Sequence, residues 1–180
     1  MELSPRPANT RVWRAFAFVD VCGFTALIDE RGDDAAVEAL HASRRHVRDA
    51  CGHYGVRVAK WLGDGAMIVG VDAEQLACAA FEIVATDLDD HHRPRTRAGM
   101  AVGEVLVFEG DDYIGRVVNQ AARLCDAAGA GELLAGTTVA PWLPPSLHLR
   151  HVRPIDVHGF RSRVEVGTVE LSGEVQRLQA

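Results

Sequence analysis

Two aspartates, Asp20 and Asp64, are the residues of this sequence best suited to holding a metal ion. Asp20 directly follows a short apolar run, Ala15 to Val19, and Asp64 stands between two glycines in the segment 63–65. Carboxylates are hard oxygen ligands of the kind that Mg²⁺ and Mn²⁺ prefer. Simpler roles stay open, because Asp20 is also a good capping or turn residue and Gly-Asp-Gly is good turn chemistry without any ligand. If both bind metal, they predict two divalent ions about 4 Å apart, the geometry used for in-line displacement at phosphorus.

The three residues Gly23, Phe24 and Thr25 lie just beyond Asp20, where the chain must turn into a helix. The N–H groups at the start of a helix have no partner within the helix and can hold phosphate oxygens. This segment is therefore a candidate phosphate-binding site next to the candidate metal ligand.

Four other polar residues are candidates for binding a ligand. Lys60 lies in an apolar strand four residues before Asp64, where it either extends to solvent or donates to an acceptor on a purine. Asp112, taken alone, resembles a loop residue. Asn119 and Arg123 are four apart and share one face of a predicted helix, either as a solvated stripe or as an amide and a guanidinium aimed at one ligand. Arginine suits a phosphoryl group that acquires charge in a transition state.

The apolar periodicity predicts the elements that position these residues. Strands are predicted at Ala15 to Val19, Val56 to Trp61, Ala66 to Val71, Thr96 to Phe108, Leu147 to Val152 and Val164 to Leu171. Helical spacing predicts one short and one longer helix between Phe24 and His53, a helix from Ala73 to about Asp89 and another from Val117 to Ala128, with a polar turn at 109–116 and a short segment at 141–143. This order predicts an α+β domain with helices packed on a sheet. If the Asp64 hairpin pairs beside the first strand, its tip falls near Asp20.

Composition limits the classes of function. A chain of 180 residues with 48% hydrophobic and 24% charged residues predicts one globular domain at 15–171, with a flexible lead-in at 1–14 and a tail at 172–180. A net charge of -6 argues against binding to a nucleic acid polymer, and cations must neutralise any bound nucleotide. The four cysteines lack paired spacing, and no apolar run is long enough to span a membrane. We therefore expect a cytoplasmic protein with reduced thiols and no membrane segment.

Three segments together resemble the catalytic domain of class III nucleotidyl cyclases. They are Phe18 to Thr25 (FVDVCGFT), Lys60 to Asp64 (KWLGD) and Asp112 to Arg123 (DYIGRVVNQAAR). Each motif is modest, but their order and spacing are specific, and the resemblance spans residues 15–171. It implies a ferredoxin-like βαββαβ core with extra C-terminal strands, and a head-to-tail homodimer with two active sites at the subunit interface.

The resemblance also implies a role for each candidate residue. Asp20 and Asp64 match the metal-binding aspartates, with the Val21 carbonyl as a further ligand. The pair that reads adenine is matched by Lys60 and Asp112, and the pair that orients ribose and stabilises the transition state by Asn119 and Arg123. In the family, the metal ligands and the other four residues come from opposite subunits.

The implied reaction is attack of the ribose 3′-hydroxyl of ATP on the α-phosphate, which gives 3′,5′-cyclic AMP and pyrophosphate with the help of two divalent ions, Mg²⁺ or Mn²⁺. Adenine offers a donor at its amino group and an acceptor at N1, which Asp112 and Lys60 complement, whereas guanine reverses both. One position departs from the family, since His158 stands where many members have a lysine for the terminal phosphates. Arg161 or Arg163 are the possible substitutes.

Two other readings compete with an adenylate cyclase. A catalytically silent module that binds nucleotide or dimerises to regulate a partner would be free to lose one of the two residue sets, but this chain keeps both. A guanylate cyclase is disfavoured by Lys60 and Asp112, and a diguanylate cyclase by the absence of a Gly-Gly-Asp/Glu-Glu-Phe signature. A self-sufficient homodimer acting on ATP is the favoured prediction.

Overall fold

The computed structural model describes residues 10–86, 94–109 and 112–173. In chain order its strands are β1 (Arg11–Val21), β2 (Arg57–Leu62), β3 (Gly65–Gly70), β4 (Thr96–Phe108), β5 (Asp112–Ile114), β6 (Leu133–Gly136), β7 (Leu147–Ile155) and β8 (Val164–Leu171). Its helices are α1 (Phe24–His53), α2 (Ala73–Thr86) and α3 (Arg116–Ala127), with a short 3₁₀ helix at Thr137–Trp142. No helix among the described residues is long and apolar enough to cross a membrane.

The described strands form one sheet in the order β2-β3-β1-β4-β6-β8-β7, and β5 pairs with the end of β4. Within it, β1-α1-β2-β3-α2-β4 is the predicted ferredoxin-like unit, and β1 is central, antiparallel to both β3 and β4. The predicted pairing of the β2–β3 hairpin beside β1 is confirmed, with Val19 opposite Ala66. The α+β fold class is thereby confirmed as well.

The alternation of side chains along β1 divides the core between the two faces of the sheet. Ala15, Ala17 and Val19 belong to the main cluster, which α1 and α2 cover. Phe16 is fully buried in a second cluster together with Val117 and Ala121 of α3. This is the period-two pattern of a strand buried on both faces, and it assigns α3 to the face opposite α1 and α2.

Several boundaries differ from the sequence-based prediction, and the largest differences are at three places. β1 begins at Arg11, so the predicted lead-in of 1–14 is wrong for residues 11–14. These four residues pair with residues 103–106 of β4. The predicted polar turn at 109–116 contains β5, which pairs with β4. β7 continues past Val152 to Ile155 after a register irregularity. The predicted helix end near Asp89 and most of the lead-in and tail lie outside the described residues.

The short and the longer helix predicted between Phe24 and His53 are confirmed as the two parts of α1. They are separated at Gly32, whose φ of 80° and ψ of 174° are not helical. Glycine adopts this positive φ without the penalty that a side chain would bring.

Candidate active site

The two candidate metal ligands lie side by side at one end of the sheet. Asp20 is near the end of β1, and Asp64 is in the two-residue turn between β2 and β3. Gly65 packs so closely that a Cβ atom there would lie 2.6 Å from the Val19 carbonyl oxygen and 3.3 Å from Asp20 Oδ1. The strand pairing thus brings the Asp64 turn against Asp20, as predicted.

The electrostatics of Asp64 show the proximity of the second carboxylate. Burial raises the pKa of Asp64, and the negative charge of Asp20 raises it further, whereas a backbone hydrogen bond and Arg97 act in the opposite direction. Two carboxylates that repel each other in this way are a favourable environment for a divalent cation.

Arg97 is the member of this site that sequence reasoning missed. It lies opposite Asp20 in the β1–β4 register, and its Nε and Nη2 atoms donate to Asp20 Oδ2 at 3.0 and 2.7 Å. Its Nη1 atom also donates to the Asp126 carbonyl at 3.1 Å. Its sequence signal is a charge near the start of a largely apolar strand, and only the β1–β4 register connects that charge to Asp20.

A cleft of about 340 Å³ joins Asp20 to α3. Its lining includes Phe18, Asp20, Leu62, Asn119 and Arg123. The position of α3 depends on Gly99 of β4, where a Cβ atom would lie 2.1 Å from the Cys125 backbone nitrogen. Asn119 and Arg123 therefore share a face, as predicted, and that face borders the same cleft as Asp20 of the same chain. Arg123 also contacts Asp126, with Nη1 3.0 Å from Oδ2.

Lys60 and Asp112, which are 52 positions apart, form an ion pair with Nζ 2.8 Å from Oδ2. A β-bulge between Val58 and Lys60 leaves Lys60 opposite Met67, on the sheet face that α3 covers. Both side chains are 42% exposed. The hydrogen bond from Lys60 lowers the pKa of Asp112, with a smaller contribution from the backbone N–H of Tyr113. Neither residue is among those that line the Asp20 cleft.

The predicted phosphate-binding segment forms the start of α1. Gly23 precedes the helix with a φ of 73°, and its carbonyl accepts the hydrogen bond from the Leu27 N–H at 2.9 Å. Phe24 and Thr25 open the first turn, directly beyond Val21 at the end of β1. Their N–H groups therefore lie at the N-terminus of α1, four and five residues after Asp20.

A second cleft of about 320 Å³ also has Asn119 in its lining. It is lined by Arg116, Phe160 and Arg161 among others, and the guanidinium carbon of Arg116 is 4.6 Å from the Phe160 ring centroid. His158 is exposed and is not in this lining, and Arg163 faces Asp156 at 3.3 Å. Of the three residues considered for the terminal phosphates, Arg161 is the one that shares a cleft with a predicted site residue.

The donor set at the carboxylates fits a hard divalent ion. No group of three or more His, Cys, Asp or Glu side chains within the described ranges could hold a metal. Two carboxylates and a nearby backbone carbonyl are oxygen donors, and Mg²⁺ commonly takes only one or two protein carboxylates and completes its shell with water and substrate phosphate. The site therefore suits an ion that is held partly by protein oxygens and partly by water or phosphate oxygens.

Comparison with known proteins supports the resemblance to nucleotidyl cyclases. No model of a protein family matches the chain. The chain is 33% identical over 139 residues to a pH-sensitive adenylate cyclase of Mycobacterium tuberculosis, covering 75% of this chain and 33% of the relative. It is 30% identical over 185 residues to adenylate cyclase 2 of Rhizobium meliloti, covering 92% and 48%. An uncharacterised protein of Mycobacterium tuberculosis is 36% identical over 152 residues, covering 82% and 38%. The chain thus spans less than half the length of these curated relatives.

Solved structures with the same fold are nucleotidyl cyclase domains. The adenylyl cyclase CyaB from P. aeruginosa matches with a TM-score of 0.76 and 25% identity, covering 92% of this chain and 97% of that one. The guanylyl cyclase Cya2 matches with a TM-score of 0.80 and 17% identity, covering 92% and 95%. The resemblance to class III nucleotidyl cyclase catalytic domains is thereby confirmed. Because both adenylyl and guanylyl cyclases are among these neighbours, the choice of base must be argued from the residues of this chain.

Proposed function

We propose that this domain is an adenylate cyclase, which converts ATP to 3′,5′-cyclic AMP and pyrophosphate. The observation that carries the choice of ATP is the contact between Lys60 Nζ and Asp112 Oδ2 at 2.8 Å. It sets one donor and one acceptor side by side, which complements the N1 acceptor and amino donor of adenine and opposes the reversed pattern of guanine. The names of two curated relatives, both adenylate cyclases, support the same choice.

Asp20, Asp64 and the Val21 carbonyl are the groups that would hold two divalent ions, Mg²⁺ or Mn²⁺. Bound there, such ions supply Lewis-acid stabilisation of the attacking and leaving oxygens. The chain's own contribution is to hold two like charges together. Arg97 donates twice to Asp20 Oδ2, so an ion at Asp20 would either bind to Oδ1 or displace Arg97 from Oδ2.

The residues of α3 and its surroundings act on the rest of the nucleotide. Asn119 orients the ribose, and Arg123 stabilises negative charge that develops at the α-phosphate. The N–H groups of Gly23, Phe24 and Thr25 bind phosphate oxygens at the start of α1. Arg161 takes the place of the family's lysine at the terminal phosphates, since it lies in the cleft next to Asn119.

We propose further that the working site is shared between two copies of the chain. Lys60 and Asp112 do not line the cleft that contains Asp20. A nucleotide bound in that cleft would therefore meet a base-reading pair supplied by a second copy, as the family resemblance implies. A site complete within one chain is the opposing possibility, because Arg123 of the same chain also borders the cleft.

One experiment tests both the activity and the sharing. Purified protein is assayed with Mn-ATP and Mn-GTP, and then Asp20→Ala, Arg123→Ala and their mixture are assayed with Mn-ATP. Each variant alone should be inactive, and the mixture should regain about a quarter of wild-type activity, since half of randomly exchanged dimers contain one intact site. Asp49→Ala and Arg45→Ala, at exposed positions of α1, are the matched controls and should keep full activity.

The outcomes separate the two parts of the proposal. Absence of any cyclic nucleotide from the wild type would remove the enzymatic function and leave a silent binding module. Cyclic GMP as the main product would overturn the choice of ATP. Inactive mixtures whose subunits demonstrably exchange would show that the sites are not shared.

A further inference from the structure

We propose that Arg44 of α1 is a positioning residue, which holds the β2–β3 turn so that Asp64 stays beside Asp20 and can bind metal. The inference rests on the proposed role of Asp64 as a metal ligand. Arg44 itself touches neither the metal position nor the substrate in this proposal. It acts through the backbone of the turn.

The contact that carries the inference is a hydrogen bond between a helix and the turn. Arg44 Nη2 donates to the Gly63 carbonyl at 3.0 Å, and Gly63 directly precedes Asp64. Gly63 has a φ of 65°, a conformation that glycine adopts readily and from which it also departs readily. A donor fixed to a helix therefore restrains the residue whose rotation would most easily move Asp64.

The guanidinium of Arg44 is itself held against the strand that leads into the turn. Its central carbon lies 5.0 Å from the ring centroid of Trp61, and the Trp61 side chain packs against the main core cluster. Arg44 thus connects α1, the end of β2 and the turn in one contact. Beyond Trp61 the turn has little packing of its own, since Leu62 is 47% exposed and Gly63 is exposed.

A restraint is needed here because Asp20 and Asp64 repel each other. Both residues carry carboxylates at one end of the sheet, and electrostatic repulsion between them acts to push the turn away from β1. Gly65 anchors the β3 side of the turn by its close approach to Val19. Arg44 provides the corresponding anchor from the side of α1.

Arg48 offers a matched control on the same helix. Its guanidinium carbon also lies 5.0 Å from the Trp61 ring centroid, so both arginines cover the same indole. Arg48 is exposed, whereas Arg44 is half-buried, and the bond to Gly63 belongs to Arg44. The Nε atom of Arg44 is buried and has no hydrogen-bond partner within the described residues. An aliphatic side chain there would avoid that cost, so Arg44→Met should fold.

The test compares Arg44→Met, Arg44→Lys and Arg48→Met with the wild type. Mn²⁺ binding is measured by calorimetry without nucleotide, together with amide hydrogen exchange across residues 62–65 and the Mn²⁺ concentration for half-maximal activity at saturating ATP. We expect Arg44→Met to weaken Mn²⁺ binding about tenfold and to speed exchange in the turn. Arg44→Lys, which keeps a donor, should recover part of the affinity, and Arg48→Met should stay within about twofold of the wild type.

Each outcome decides the inference. Equal Mn²⁺ affinity for Arg44→Met and Arg48→Met would overturn it, and so would unchanged exchange in the turn or absence of Mn²⁺ binding by the wild type. If Arg44→Met melts well below Arg48→Met, the comparison passes to Arg44→Lys, whose affinity must then lie nearer the wild type than that of Arg44→Met. A wild type that binds Mn²⁺ in an Arg44-dependent way but forms no cyclic AMP would refute the proposed function and leave the positioning role standing.

Discussion

Two pairs of proposed site residues differ in their electrostatics. Lys60 and Asp112 attract each other, whereas Asp20 and Asp64 repel each other. Lys60 and Asp112 carry opposite charges and hold each other directly at 2.8 Å, with both side chains 42% exposed. Asp20 and Asp64 carry like charges, and what brings them together is the strand register and the close approach at Gly65. Opposite charges can organise themselves through side chains, whereas like charges need a scaffold. Changes to the backbone should therefore damage the metal pair first and leave the Lys60–Asp112 pair intact.

The largest effect should come from Gly65→Ala, which breaks the scaffold of the metal pair. The new Cβ would lie 2.6 Å from the Val19 carbonyl oxygen, so β3 must move away from β1 and take the turn with it. We expect a loss of stability of about 1–3 kcal/mol and a fall in cyclase activity of about 100-fold, as a displacement of roughly 1 Å can produce. Urea unfolding and a cyclic AMP assay measure the two effects.

Gly52→Ala is the control for that substitution. Gly52 lies in α1, and no atom is within 4 Å of the Cβ position. Alanine is a better helix former than glycine, so this variant should be as stable as the wild type or slightly more so, with unchanged activity. If Gly65→Ala behaved like Gly52→Ala, the close approach at Gly65 would have no role in holding the carboxylates.

Arg97→Ala should strengthen metal binding by Asp20 and Asp64, whereas Gly65→Ala should impair their function. Arg97 donates twice to Asp20 Oδ2 and so competes with a cation for that oxygen. Its removal should tighten Mn²⁺ binding in the absence of nucleotide by about tenfold, because the two carboxylates then lack a neutralising partner. Calorimetry with Mn²⁺ measures this, and Arg95→Ala, two residues earlier, is the control. Weaker Mn²⁺ binding by Arg97→Ala would mean that Arg97 holds Asp20 in its binding position instead of competing for it.

Asp112→Asn should change the choice of base with a smaller effect and leave metal binding untouched. An amide can donate as well as accept, so the variant loses part of its preference for the amino group of adenine. We expect the ratio of kcat/KM for ATP over GTP to fall about fivefold, the size of one altered hydrogen bond. Mn²⁺ affinity is the internal control and should equal that of the wild type. A changed metal affinity would contradict the independence of the two pairs.

The proximity of Asp20 and Asp64 was predictable from the sequence, because a hairpin paired beside the first strand carries its tip to the end of that strand. The strand Thr96–Phe108 is also predicted with its observed bounds, since most of its residues are apolar or small. The start of β1 was not, because Arg11 and Arg14 interrupt the apolar pattern and become strand residues only through pairing with β4. For the same reason the sequence pattern at the three-residue strand β5 indicates a turn.

The contacts that sequence reasoning missed are those that depend on register. Arg97 reaches Asp20 only because these residues are opposite each other in the β1–β4 ladder. A shift of one residue would turn its side chain to the other face of the sheet. Lys60 and Asp112 are joined across 52 positions by a bulge in β2 and a short strand after β4, neither of which has a pattern of its own. The pairing of Lys60 with Asp112 is predicted only through the resemblance to class III nucleotidyl cyclases.

The smallest effect concerns the stability that the Lys60–Asp112 pair itself contributes. Lys60 lowers the pKa of Asp112 from its usual value of 3.8, so the folded state favours the ionised carboxylate. That contribution is fully present above the usual pKa and is lost as the pH falls through the lowered pKa of the folded protein. Because both side chains are exposed to solvent, this contribution to the free energy of unfolding should be less than about 1 kcal/mol at neutral pH and smaller still in high salt.

Urea unfolding of wild type and Asp112→Asn at pH 7 and near pH 3 measures this contribution. The difference between the two proteins should shrink on acidification, and Asp49→Asn, at an exposed position of α1, is the control. A difference above about 2 kcal/mol that persists in acid would mean that Asp112 stabilises the fold through an interaction other than its charge.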